Sequence, residues 1–125
     1  MMTLYEFMKT YDSWEVTCWD KEIDVEFYFY NEDDAEAEND LWDSTMLRLS
    51  KLLEVVEVVE GEPGMREGVV VDMYGLIEKH LAQLKAAHII GKHMDTADVV
   101  ENMEMILAGN LTEKEFDEFV LVLEK

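Results

Sequence analysis

Carboxylates dominate the groups in this chain that can do chemistry, and they are unevenly placed. Between Asp12 and Asp43 there are thirteen of them against one cation, Lys21, a net charge of −12. Asp20, Glu22, Asp24 and Glu26 come first, followed by Glu32, Asp33, Asp34, Glu36 and Glu38. A second block, residues 95–125, carries nine acids and two bases, a net −7. Within it Asp95, Asp98, Glu101 and Glu104 recur every three residues, which on a helix places neighbours about 5–6 Å apart. On a strand, Asp24 and Glu26 share one face about 6.6 Å apart. Phosphates of a nucleic-acid strand are spaced comparably, with one charge per roughly 3.4 Å of axis. Rows of carboxylates held at such distances can therefore occupy a protein groove built for phosphates.

Other chemistries have weaker support. Asn31–Glu38 is rich in the oxygens a divalent cation takes, but it lacks the glycine and the D-x-[DN]-x-[DN]-G order of an EF-hand loop, so no metal site is expected. His80, His88 and His93 are spaced by eight and five residues, matching no zinc pattern, and are read as structural. Cys18 has no CxxC partner and alternates with Trp14 and Val16, which reads as core. No nucleophile elbow, P-loop or GxGxxG occurs, so no catalytic residue, enzyme activity or cofactor is expected. Nine methionines suggest mainly core filler, with Met46, Met103 and Met105 falling in or near helical stripes.

Aromatic residues decide what kind of surface the acids form. Trp14, Trp19, Phe27, Tyr28, Phe29, Tyr30 and Trp42 lie among them. A disordered acidic tail buries nothing and would lack these residues. A folded face holding charge in fixed positions is expected, with Tyr28 and Tyr30 as anchors. The whole chain has 125 residues and a net charge of −20. Charge of that size destabilises the compact state and disfavours direct contact with nucleic acid or anionic lipid. The partner expected is a basic protein surface. No apolar run approaches the length of a membrane span. Met1-Met2-Thr3-Leu4 lacks the basic-then-apolar order of a secretory signal, and the lone cysteine suits a reducing compartment. The expectation is a cytoplasmic protein.

The elements that must position these residues follow from periodicity. Thr3 and Glu6 form a capping box before Leu4, Phe7 and Met8 at helical spacing. Residues 14–19 and 23–30 alternate as a hairpin with Glu15, Thr17, Trp19, Asp24, Glu26, Tyr28 and Tyr30 on its wet face. Leu41, Trp42, Met46, Leu49 and Leu53 mark a helix with Arg48 and Lys51 near its end. Two valine-rich runs, 54–60 and 68–73, make a second hairpin. Asp72, Asp95 and Thr112 then cap three helices, the first closed at Ile89-Ile90-Gly91 and the second by Gly109. The order is α-β-β-α-β-β-α-α-α. It predicts a single α+β domain over residues 1–125, with a four-stranded antiparallel sheet from two hairpins and about five helices.

Thr3-Leu4-Tyr5-Glu6-Phe7 and Trp19-Asp20-Lys21-Glu22-Ile23-Asp24-Val25-Glu26 resemble short acidic orphan proteins of phages and conjugative elements of Gram-positive bacteria. That resemblance implies a neighbourhood rich in counter-defence proteins, anti-CRISPR and anti-restriction proteins among them, several of which imitate DNA. With the charge pattern, it leads to the expectation of a non-enzymatic inhibitor acting in a bacterial host cell. Its acidic surface would enter the nucleic-acid-binding groove of a defence nuclease, Cas9 or a restriction enzyme. The alternative is a regulatory or adaptor module of a mobile element whose charge serves mainly solubility.

Overall fold

A computed structural model describes residues 1–10, 15–30, 40–61 and 68–125. Helix α1 (Leu4–Thr10) opens the chain, and strands β1 (Glu15–Asp20) and β2 (Glu26–Tyr30) follow. Next come α2 (Leu41–Ser50), β3 (Val55–Val59), β4 (Gly68–Val71) and α3 (Met73–Ala86). Helix α4 (Thr96–Met105) runs into a π-helical turn at Ile106–Asn110, and α5 (Glu113–Leu123) ends the fold. The fold is α+β, with five α-helices and one sheet of four strands among the described residues.

The strand order is β2-β1-β4-β3, and it corrects one expectation. Both hairpins are antiparallel, but they meet through β1 and β4, which run parallel. The sheet is therefore mixed rather than purely antiparallel. Composition fits the places of β4 and β3. Gly68-Val69-Val70-Val71 carries no charge and takes a central place, where parallel strands are apolar on both faces. β3 carries Glu57, exposes Val56 and Val59, and is bulged between Val55 and Glu57, as an edge strand tolerates.

Alternation along the strands separates two faces. Val16, Cys18, Phe27, Phe29, Val69 and Val71 point into the core and are buried. Register places Thr17 opposite Tyr28, Glu15 opposite Tyr30 and Trp19 opposite Glu26 on the other face. There Glu26, Tyr28 and Tyr30 are exposed, while Glu15, Thr17 and Trp19 are half-buried. The inner face joins the helices in one apolar core that includes Phe7, Leu49, Ile77, Met103, Phe116 and Phe119. Trp42 packs on Phe116 with ring centroids 4.5 Å apart. Met46 and Met103 are buried as filler, whereas Met105 is exposed and does not belong to the core.

Caps fix where the helices start. Thr3 Oγ1 accepts the Glu6 N–H at 3.2 Å, and Asp40 accepts the Asp43 N–H at 3.2 Å. Asp72 accepts from Gly75 at 2.8 Å, and Thr112 from Glu115 at 3.1 Å. The Thr112 backbone N–H returns a bond to Glu115 and holds its carboxyl below the usual range. Helix α3 ends before the Ile89-Ile90-Gly91 stop. His88 turns left-handed at φ 59°, its N–H bonds Lys85 O, and the Ile89 N–H bonds Leu84 O, both at 3.0 Å. That pair of bonds is a Schellman motif with histidine where glycine is usual. Gly109 does adopt a left-handed conformation, φ 100°, within the π-helical turn.

Candidate interaction face on the first hairpin

The edge strand β2 builds the face. Phe27 and Phe29 are fully buried, and strand alternation then forces Glu26, Tyr28 and Tyr30 outward. The Tyr28 hydroxyl donates to Glu26 Oε1 at 3.2 Å, which steadies both side chains. Beside the strand lies the C-terminal end of α4 and the turn after it. Tyr28, Tyr30, Glu104, Leu107 and Ala108 together line a half-open cavity of about 300 Å³. The Glu26 carboxylate beside it, with smaller effects from Glu104 and Tyr30, raises the Tyr28 phenol above its ordinary value. Here Glu26 of the first acidic block and Glu104 of the second flank the same two tyrosines.

Glu22 and Asp24 are exposed in the turn between β1 and β2. Glu101 is exposed on α4, one turn before Glu104. Asp95 and Asp98 are exposed, but each already caps the other: the Asp98 N–H reaches Asp95 Oδ1 at 2.8 Å, and the Asp95 N–H reaches Asp98 Oδ2 at 3.0 Å. Glu32, Asp33, Asp34, Glu36 and Glu38 lie outside the described residues, as does the Asn31–Glu38 cation loop.

Asp20 departs from expectation. Its side chain is not offered to a partner; the residue is only 7% exposed. Oδ2 accepts the N–H groups of Glu22 at 2.7 Å and Ile23 at 3.0 Å. Oδ1 accepts the Tyr74 N–H at 2.9 Å, in the first turn of α3. A buried carboxylate needs such donors, and here the turn and a helix N-terminus supply them. Asp20 is structural.

Leu107 and Ala108 are the members of the face that sequence reasoning left out, and Glu104 was not placed beside the tyrosines. The three-residue spacing from Asp95 already reached Glu104. Its proximity to the tyrosines required the long-range packing of α4 beside β2. Trp19 takes part only at the margin. Its ring lies over Gly68, where an added Cβ would sit 2.3 Å from Cζ3.

Remaining groups are engaged locally. His80 Nδ1 lies 2.9 Å from the Leu76 carbonyl, a contact within α3. Burial pushes the Cys18 thiol far up, which suits an inert core residue. No set of three or more His, Cys, Asp or Glu converges as a metal site among the described residues. Nor is any described helix long and apolar enough to cross a membrane. No protein family, curated protein or solved structure matches the chain.

Proposed function

We propose that the protein is a non-enzymatic inhibitor that presents the acidic, tyrosine-bearing face of its first hairpin to a basic groove of a nucleic-acid-binding protein. The partner class favoured is a bacterial defence nuclease, which would make the protein an anti-CRISPR or anti-restriction factor. Carboxylates of the face would compete with phosphates for the lysines and arginines of that groove. One observation carries the reading: Glu104 of the second acidic block shares a cavity with Tyr28 and Tyr30 of the first. Glu26 and Glu104, almost eighty positions apart in sequence, thereby flank the same aromatic anchors, which supports a binding role for the charge over solubility alone.

The experiment is capture from a lysate containing defence nucleases, repeated with DNA or guide RNA as competitor and over a range of salt. Displacement by nucleic acid and a steep loss of binding with salt support the inhibitor. A partner retained unchanged at several hundred millimolar salt rules against it.

A second reading, an adaptor module whose charge serves solubility, is favoured by the exposed Val56 and Val59 on edge strand β3. The start of this edge is bonded by the N-terminal segment, through the Val55 N–H to Met2 O, and beyond Val55 such an edge can accept a strand from a partner. Joint neutralisation of Asp24, Glu26, Glu101 and Glu104 to Asn or Gln separates the two. The inhibitor loses most of its binding, and the adaptor keeps it.

A further inference from the structure

We infer that the cavity between β2 and the end of α4 receives a single arginine side chain from the partner, stacked against Tyr28 or Tyr30 and paired with Glu26 or Glu104. This deepens the proposed function and rests on it for the source of the arginine, but the pocket can be tested alone.

Size selects the ligand first. About 300 Å³ lies at the bottom of the range for small-molecule sites, room for one side-chain head rather than a drug-sized molecule. The lining selects its chemistry. Two tyrosines line it, whose rings can attract a cation, and Leu107 with Ala108 provides apolar surface against which an aliphatic stem can pack. Glu104 lines the cavity, and Glu26 stands at its margin, bonded to the Tyr28 hydroxyl at 3.2 Å. Among the described residues neither carboxylate is paired with a lysine or arginine. The pocket therefore joins aromatic surface and unneutralised negative charge. A planar guanidinium suits it better than an ammonium, because it can stack on a ring and still give in-plane hydrogen bonds to a carboxylate.

The test titrates the full chain with N-acetyl-arginine-methylamide, its lysine analogue and the neutral, near-isosteric citrulline analogue at constant ionic strength. Amide shifts are followed by NMR. Saturable shifts confined to Tyr28, Tyr30, Glu104, Leu107 and Ala108 are expected for arginine, with citrulline roughly tenfold weaker, as loss of a well-placed cation contact implies. Tyr30→Ala and Glu104→Gln should each weaken the arginine response several-fold. Tyr28→Phe keeps a ring and should retain most of it. Glu57→Gln, exposed on β3 at the opposite edge of the sheet, should leave it unchanged. Equal responses to arginine and citrulline, or shifts scattered over the acidic surface, overturn the inference. The two readings fail separately. A salt-sensitive nuclease partner with no arginine response removes only the pocket. An arginine response without any basic partner removes only the inhibitor.

Discussion

Asp20 Oδ1 accepts the Tyr74 backbone N–H at 2.9 Å, joining the end of β1 to the first turn of α3 across 54 positions of sequence. The same carboxylate closes the turn that follows β1 through Glu22 and Ile23. One buried acid thus fixes both the approach to the β2 face and the start of the longest helix. Asp20→Ala leaves three N–H groups without this acceptor and should cost about 3 kcal/mol. That corresponds to a fall in Tm of roughly 10 °C for a domain of this size. Asp20→Asn, which keeps one acceptor oxygen, should lose about half as much. Thermal unfolding measures both, and an unchanged Tm for the alanine variant contradicts the structural role.

Arg48 makes the corresponding link between helices. Its Nη1 bonds Asp117 at 2.6 Å, while Nε and Nη2 both reach Glu124 Oε1, at 3.1 and 2.5 Å. The side chains are 24–33% exposed, so screening reduces the value of the contacts. Arg48→Ala should destabilise by about 1–2 kcal/mol, with part of the loss coming from the aliphatic stem. Arg48→Lys retains the charge but cannot bridge two carboxylates in one plane, and should recover less than half. A double-mutant cycle with Glu124→Gln isolates the pair, and a coupling energy near zero would discount it.

Much of this was legible in the sequence, and the reasons differ by element. Period-2 alternation through Val16, Cys18, Phe27 and Phe29 identified the first hairpin and its wet face, because burial on one side leaves a local signature. Asp72, Asp95 and Thr112 marked helix starts because their partners lie three residues away. The parallel pairing of β1 with β4 left no such trace. It depends on which hairpin edge docks against which, a long-range choice that neither turn chemistry nor local alternation encodes. Asp20 was misread for a related reason. A carboxylate within an acidic run looks like its neighbours until Tyr74 is seen beside it. Proximity of Glu104 to Tyr28 is likewise a product of tertiary packing.

His88 holds the left-handed position of the Schellman motif after α3 without being glycine. An L-residue there carries about 1–2 kcal/mol of steric cost, and glycine avoids it while losing more backbone freedom on folding. His88→Gly should therefore stabilise the domain by about 0.5 kcal/mol. His88→Ala keeps the Cβ and should give no gain. Urea unfolding of the two variants compares them directly; equal midpoints would show that the histidine is not strained.

Gly68 is required for a different reason, a close approach. An alanine Cβ would lie 2.3 Å from Trp19 Cζ3 and 3.1 Å from the Thr17 carbonyl oxygen. The ring must move off the strand, at a cost of about 1–3 kcal/mol for a forced repacking. Displacement of Trp19 should alter the near-UV circular dichroism and shift its indole resonance, with smaller changes at Glu26, its neighbour in the register. An unmoved Trp19 indole signal in Gly68→Ala would contradict the contact.

Tyr28 gives an independent check that the two acidic blocks adjoin. Its phenol is raised above the usual value near 10, first by Glu26 and to a smaller extent by Glu104. A raised pKa means that the folded state holds the phenolic proton more tightly than the unfolded chain does. The associated stability is therefore fully present below the unfolded pKa and is lost as pH rises through the folded one. Ultraviolet titration of the native protein, compared with Tyr28→Phe, should show Tyr28 ionising later than a free phenol. Glu26→Gln should bring it back most of the way. Glu104→Gln should lower it by a smaller but measurable amount, although Glu104 is 76 positions from Tyr28 in sequence. Salt should diminish both effects, since the phenol is exposed and the interaction screened. If Glu104→Gln leaves the Tyr28 titration unchanged while Glu26→Gln shifts it, α4 does not share the tyrosine face, and the two acidic blocks are electrostatically separate.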